Sequence, residues 1–86
     1  MIVTKQAVAE QIAAHLQHRV TLPQLVEWAE NAMMDGEFDE KDAATIAAVV
    51  ARLGVADVRA FGLTWADCEE LLAKLGFSAR IEIVAA

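Results

Sequence analysis

Residues 43–76 read AATIAAVVARLGVADVRAFGLTWADCEELLAKLG, two apolar-striped segments joined by a short connector. In the first segment Ala43, Ile46, Val49, Val50 and Leu53 recur every three or four residues, and Gly54 follows them. That spacing lines up one face of a helix. In the second, Trp65, Cys68, Leu71, Leu72 and Leu75 share a face, and Gly76 follows. Thr64 and Asp67 stand three apart at its start, the spacing of a capping box with Asp in place of Glu or Gln. Leu63 precedes the cap where a hydrophobic staple belongs, and Glu70 and Lys74 form a favourable i,i+4 pair. The connector 55–61 has room for one further helical turn.

Two such stripes need more apolar surface to close a core, and the first half of the chain supplies it. Val8, Ala9, Ile12, Ala13, Leu16 and Val20 predict a helix over about 5–19, with Thr4 as its N-cap. Thr21-Leu22-Pro23-Gln24 is a second capping box, and Pro23 is tolerated because first-turn amides have no intrahelical acceptor. Leu22, Leu25, Val26, Ala29, Ala32 and Met33 then form a stripe with Trp28 on its margin. Gly36 is expected to stop this helix in the left-handed conformation. Residues 37–42, EFDEKD, read as an acidic connector with Asp39 capping the next helix.

The ends read differently. Residues 1–3 are apolar and partly β-branched, a short strand signal. Residues 79–84, ARIEIV, alternate Ile81 and Ile83 against Arg80 and Glu82, which is a strand pattern. Such a strand must pair with residues 1–3, with another copy or with a partner. The expected fold is therefore mainly α, a small four-helix bundle-like single domain over 1–86 with a short C-terminal β-strand.

Composition narrows the function classes. The 86 residues are 57% hydrophobic, much of it alanine, which lets helices approach closely. Thirteen acidic residues against seven basic ones give a net charge of −6. The bases Lys5, Arg19, Lys41, Arg52, Arg59, Lys74 and Arg80 are scattered among carboxylates. Nucleic acid and anionic membranes need clustered bases, so both are poor partners, whereas a basic protein surface suits the charge. The first sixteen residues carry Lys5, Gln6, Glu10 and Gln11 where a signal peptide needs an unbroken apolar stretch. The wholly apolar run 46–51 is far short of the ~20 residues of a membrane helix. A cytoplasmic protein is expected.

Catalytic and metal-binding patterns are sparse. Over residues 31–42, Asn31, Asp35, Gly36, Asp39 and Asp42 fall at positions of a twelve-residue calcium loop, but Met33 offers no oxygen at the third place and Asp42 replaces the bidentate Glu. His15 and His18 stand three apart without matching ligands elsewhere; Glu27 and Glu30 make an E-x-x-E pair rather than the Glu-x-x-His of di-iron bundles. Cys68 is the single cysteine, on an apolar face, where it reads as a small hydrophobe rather than a nucleophile. Ser78 is the single serine and has no nucleophile elbow around it. The four glycines stand singly, so there is no phosphate loop. No catalytic group, cofactor or metal is expected.

Two limited resemblances lead to exclusions. Residues 50–55, VARLGV, are similar to the turn of helix-turn-helix DNA readers, yet residues 56–61 lack a polar, basic recognition face. Small acidic four-helix chains resemble acyl carrier proteins, but the Asp-Ser-Leu attachment motif is missing.

What remains is surface. Trp28, Trp65, Phe38, Phe61 and Phe77 all lie on helix margins, at helix ends or in connectors, where aromatics close the ends of small bundles. The functional counterpart is a contact patch of Trp28, Phe38, Phe61 and Trp65 rimmed by Asp35, Glu37 and Asp39, since aromatic anchors ringed by charge make protein–protein hot spots. The leading expectation is a non-enzymatic protein-binding module of inhibitor, immunity, antitoxin or adaptor character, its partner a basic protein or another copy of itself. The alternatives are a small-ligand or metal-binding bundle with a pocket near His15, Cys68 and Trp65, or a structural subunit of a homo-oligomer.

Overall fold

A computed structural model describes residues 2–58 and 62–78. Among them the chain runs β1 (Ile2–Val3), α1 (Lys5–Leu16), α2 (Leu22–Asp35), β2 (Glu37–Phe38), a 3-10 turn (Glu40–Asp42), α3 (Ala43–Gly54) and α4 (Trp65–Lys74). The fold is mainly helical, with four α-helices in a globule. The packing of α2 against α3 is the most extensive, and α1 touches α2, α3 and α4. The predicted stripes form the core: Val8 and Ile12 from α1, Leu25 and Ala29 from α2, Ile46, Val50 and Leu53 from α3, Cys68 and Leu71 from α4.

Local signals decide the helix starts. Thr4 accepts from the Ala7 amide at 3.1 Å and opens α1. Thr21 and Gln24 cap each other across the first turn of α2, at 2.9 and 3.3 Å. Thr64 and Asp67 do the same for α4, at 2.9 and 3.1 Å. Each box satisfies first-turn amides that have no partner within the helix.

Several expectations are corrected. Helix α1 ends at Leu16, not near Arg19. His18 adopts φ 62°, and the His18 and Arg19 amides return to the His15 and Ala14 carbonyls at 3.0 and 2.9 Å. This is a Schellman closure built on a non-glycine residue. At the end of α4 Gly76 plays the same part, with φ 86° and the Phe77 amide 2.9 Å from the Leu72 carbonyl. Gly36 is not left-handed; its φ is −81° and its backbone is extended. Glycine stands there because a Cβ would run into the Ala32 carbonyl and into Cγ2 of Val3, 2.8 Å away.

The acidic connector is also more structured than its composition suggests. Glu37–Phe38 pairs in parallel with Ile2–Val3, and the Asp39 amide donates to the Val3 carbonyl at 3.1 Å. Asp39 caps the 3-10 turn through Lys41, at 3.2 Å, rather than α3. No side chain caps α3; Asp42, at its N-cap, is turned to Lys5 at 3.6 Å. The expected C-terminal strand at 79–84 lies outside the described residues, and the fold lends it no support. The strands described lie at 2–3 and 37–38, so the partner that Ile2–Val3 finds among the described residues is Glu37–Phe38.

Candidate functional site

The predicted contact residues divide into three groups. Asp35, Glu37 and Asp39 are exposed and follow one another along the turn from α2 into the 3-10 segment. Trp28 and Phe38 are half-buried and pack on the core, which is the bundle-closing role of aromatics. Trp65 opens α4 and keeps 36% of its surface, while Cys68, Leu71 and Leu72 on the same helix are buried. Phe61 lies outside the described residues. The three carboxylates thus lie exposed along one short stretch of chain, while Trp28 and Phe38 give part of their surface to the core.

The charge on this side of the molecule is concentrated further than the three residues suggest. Between Arg19 and Lys41 the chain has no Lys, Arg or His, yet it carries Glu27, Glu30, Asp35, Glu37, Asp39 and Glu40. Those six account for the whole net charge of −6, because the other seven acids are balanced by seven bases. All six are exposed. The ion pairs among the described residues are Lys5–Asp42, Arg52–Asp67 and Lys74–Glu70, at 3.6, 3.5 and 3.9 Å, and none involves these six carboxylates. Exposed charges of one sign without counter-charges project a field that steers an oppositely charged partner.

Apolar surface accompanies the charge. Met33 and Met34, in the last turn of α2, keep 53% and 74% of their surface. Met33 was expected in the core stripe; instead its Sδ lies over Gly54, 3.6 Å from where a Cβ would be. Beyond Gly54, Val55 and Val58 are exposed as well. The sequence places Met33 in the apolar stripe and offers Glu27 and Glu30 only as an E-x-x-E pair, and Met34 is not singled out by any pattern. The signal was present in the absence of any base between residues 19 and 41.

The groups considered for chemistry are engaged elsewhere. His15 Nδ1 donates to the Val20 carbonyl at 3.1 Å, which fixes the loop between α1 and α2 and places a ring proton on Nδ1. His18 is held in the turn by its backbone. Cys68 is buried, and loss of solvation pushes its thiol pKa up, with the Asp67 charge adding to the effect and Arg52 opposing it. A raised pKa leaves less thiolate, the form that attacks or binds metal. Asn31 and Asp35 sit on helical backbone, so residues 31–42 do not form a calcium loop. Among the described residues no three His, Cys, Asp or Glu side chains are grouped to hold a metal, and no helix is long and apolar enough to cross a membrane.

A cleft of about 170 Å³ opens between α3 and α4 rather than near His15, Cys68 and Trp65. Its charged lining is internally matched. Arg52 reaches the Gly62 carbonyl at 3.0 Å and Asp67 at 3.5 Å, and Lys74 faces Glu70. Asp67 is held below the usual carboxylate range, first by the Thr64 backbone amide, then by the Thr64 side chain, with a smaller contribution from Arg52. These contacts tie the connector before α4 to α3, a structural task.

No protein family, curated protein or solved structure matches the chain.

Proposed function

We propose that the protein is a non-enzymatic binding module whose partner is a basic protein, met on the face formed by α2 and the turn that follows it. The observation that carries this reading is the placement of the entire net charge on residues 27–40, as exposed carboxylates without ion pairs among the described residues. Steering by such a face acts mainly on the association rate and weakens with salt, since the screening length is ~10 Å at 0.1 M ionic strength. Exposed methionines beside it add desolvation energy once the partner arrives. The matched charges of the α3–α4 cleft give a small anionic or cationic ligand no unneutralised group, so this reading ranks above a metabolite site.

The test begins with retrieval of the bound polypeptide from extract of the protein's own cells, with light scattering on the eluate. A stoichiometric basic partner released by salt is expected. Asp35→Lys, Glu37→Lys and Asp39→Lys together should then slow its association more at low than at high ionic strength. Equal loss at both, or a partner without basic character, would overturn the proposal.

A further inference from the structure

The geometry points to one kind of occupant for this face, and we propose a basic amphipathic helix of the partner, laid along α2 and anchored on Met33 and Met34. The inference rests on the binding-module reading and narrows it to a secondary structure and an anchor.

Three observations combine. Glu30 precedes Met33 by three residues and Met34 by four, and Glu27 lies one turn earlier, so carboxylates and thioethers share a face of α2. That face is exposed at Glu27, Glu30, Met33 and Met34. The apolar end does not stop with α2, because Met33 lies over Gly54 and the exposed Val55 and Val58 follow. A partner helix crossing here would set apolar side chains on methionine, which adapts its shape to what it meets, and lysines or arginines opposite Glu27 and Glu30. The fourteen residues of α2 span about 21 Å, enough to accompany nearly four turns of such a helix.

The other occupants fit less well. A second copy would bring the same uncompensated negative face against this one. Nucleic acid and anionic lipid carry the same sign of charge. A strand adding to β1 would find a ladder of two residues, which offers few backbone groups to pair.

The test uses two fluorescein-labelled model peptides of equal length and equal lysine number, read by anisotropy. One has leucines at helical spacing and an apolar face; in the other every leucine is serine. The whole chain should bind the Lys/Leu peptide at least about tenfold more tightly than the Lys/Ser peptide, with induced helicity in circular dichroism. Met33→Ser with Met34→Ser should remove that advantage, and Ile2→Ser, which alters the exposed apolar residue of β1, should retain it. Both methionines are exposed, so the double variant keeps its core. Equal affinity for the two peptides, or an advantage that survives the double substitution, would overturn the anchored helix and leave a basic partner standing. Failure to bind either peptide would remove both readings.

Discussion

Val3 and Gly36 meet so closely that Cγ2 of Val3 stands 2.8 Å from the position a Cβ on residue 36 would take. Val3 is fully buried, and the Ala32 carbonyl closes the other side of the same space. Contact between β1 and the end of α2 therefore depends on a missing side chain. Gly36→Ala should destabilise the fold by about 1–3 kcal/mol, the usual cost of forcing an extra carbon into packed surroundings. Urea unfolding measures this, and an unchanged midpoint would show that β1 moves aside at no cost.

His18 should respond in the opposite direction. It carries the left-handed conformation at the end of α1, with φ 62°, and its side chain is exposed. A residue with a Cβ is strained there by roughly 1 kcal/mol relative to glycine. His18→Gly should raise stability by about 0.5–1 kcal/mol. A loss in thermal unfolding would mean that the imidazole makes a contact worth more than the strain.

The capping box of α4 predicts a pH response. Asp67 has a depressed pKa in the folded chain, so its stabilisation is fully present above the ordinary carboxylate range near pH 4. It is lost as pH falls through the lower folded value, because the unfolded state then binds the proton more readily. Asp67→Asn should flatten this part of the stability profile below pH 4. Thermal midpoints of both proteins between pH 2 and 6 give the comparison, and parallel profiles would assign the acid limb to other carboxylates.

Cys68 should behave as a core thiol. Its burial and raised pKa predict labelling by a thiol reagent only at the rate at which the chain opens. Addition of denaturant should make the reaction immediate. Fast labelling of the native chain at neutral pH would show that α4 leaves the core readily.

Residues 27–40 form the proposed contact face, and they show where reading the chain succeeded and where it did not. Asp35, Glu37 and Asp39 were legible as an acidic segment because charge is a property of composition. Met33 was misplaced because it falls within the apolar period of α2, and period alone does not say which helix covers which part of a face. Trp28 and Phe38 were ambiguous for the same reason: an aromatic at the edge of a stripe goes inward or outward according to its neighbours in space.

What the sequence determined by itself is local. Threonine caps, the three-and-four spacing of apolar residues and the helix ends at Gly54 and Gly76 involve groups a few residues apart, so the chain settles them over short distances. The tertiary structure alone decided the rest. Parallel pairing of Ile2–Val3 with Glu37–Phe38 joins segments some 35 residues apart, and it explains Gly36 by crowding rather than by a turn. Exposure of Met33 and Met34 in the same turn that buries Ala32 depends on which side of α2 the other elements cover. Hydrophobic burial is non-directional, so the pattern of a stripe fixes that it will be covered but not what will cover it.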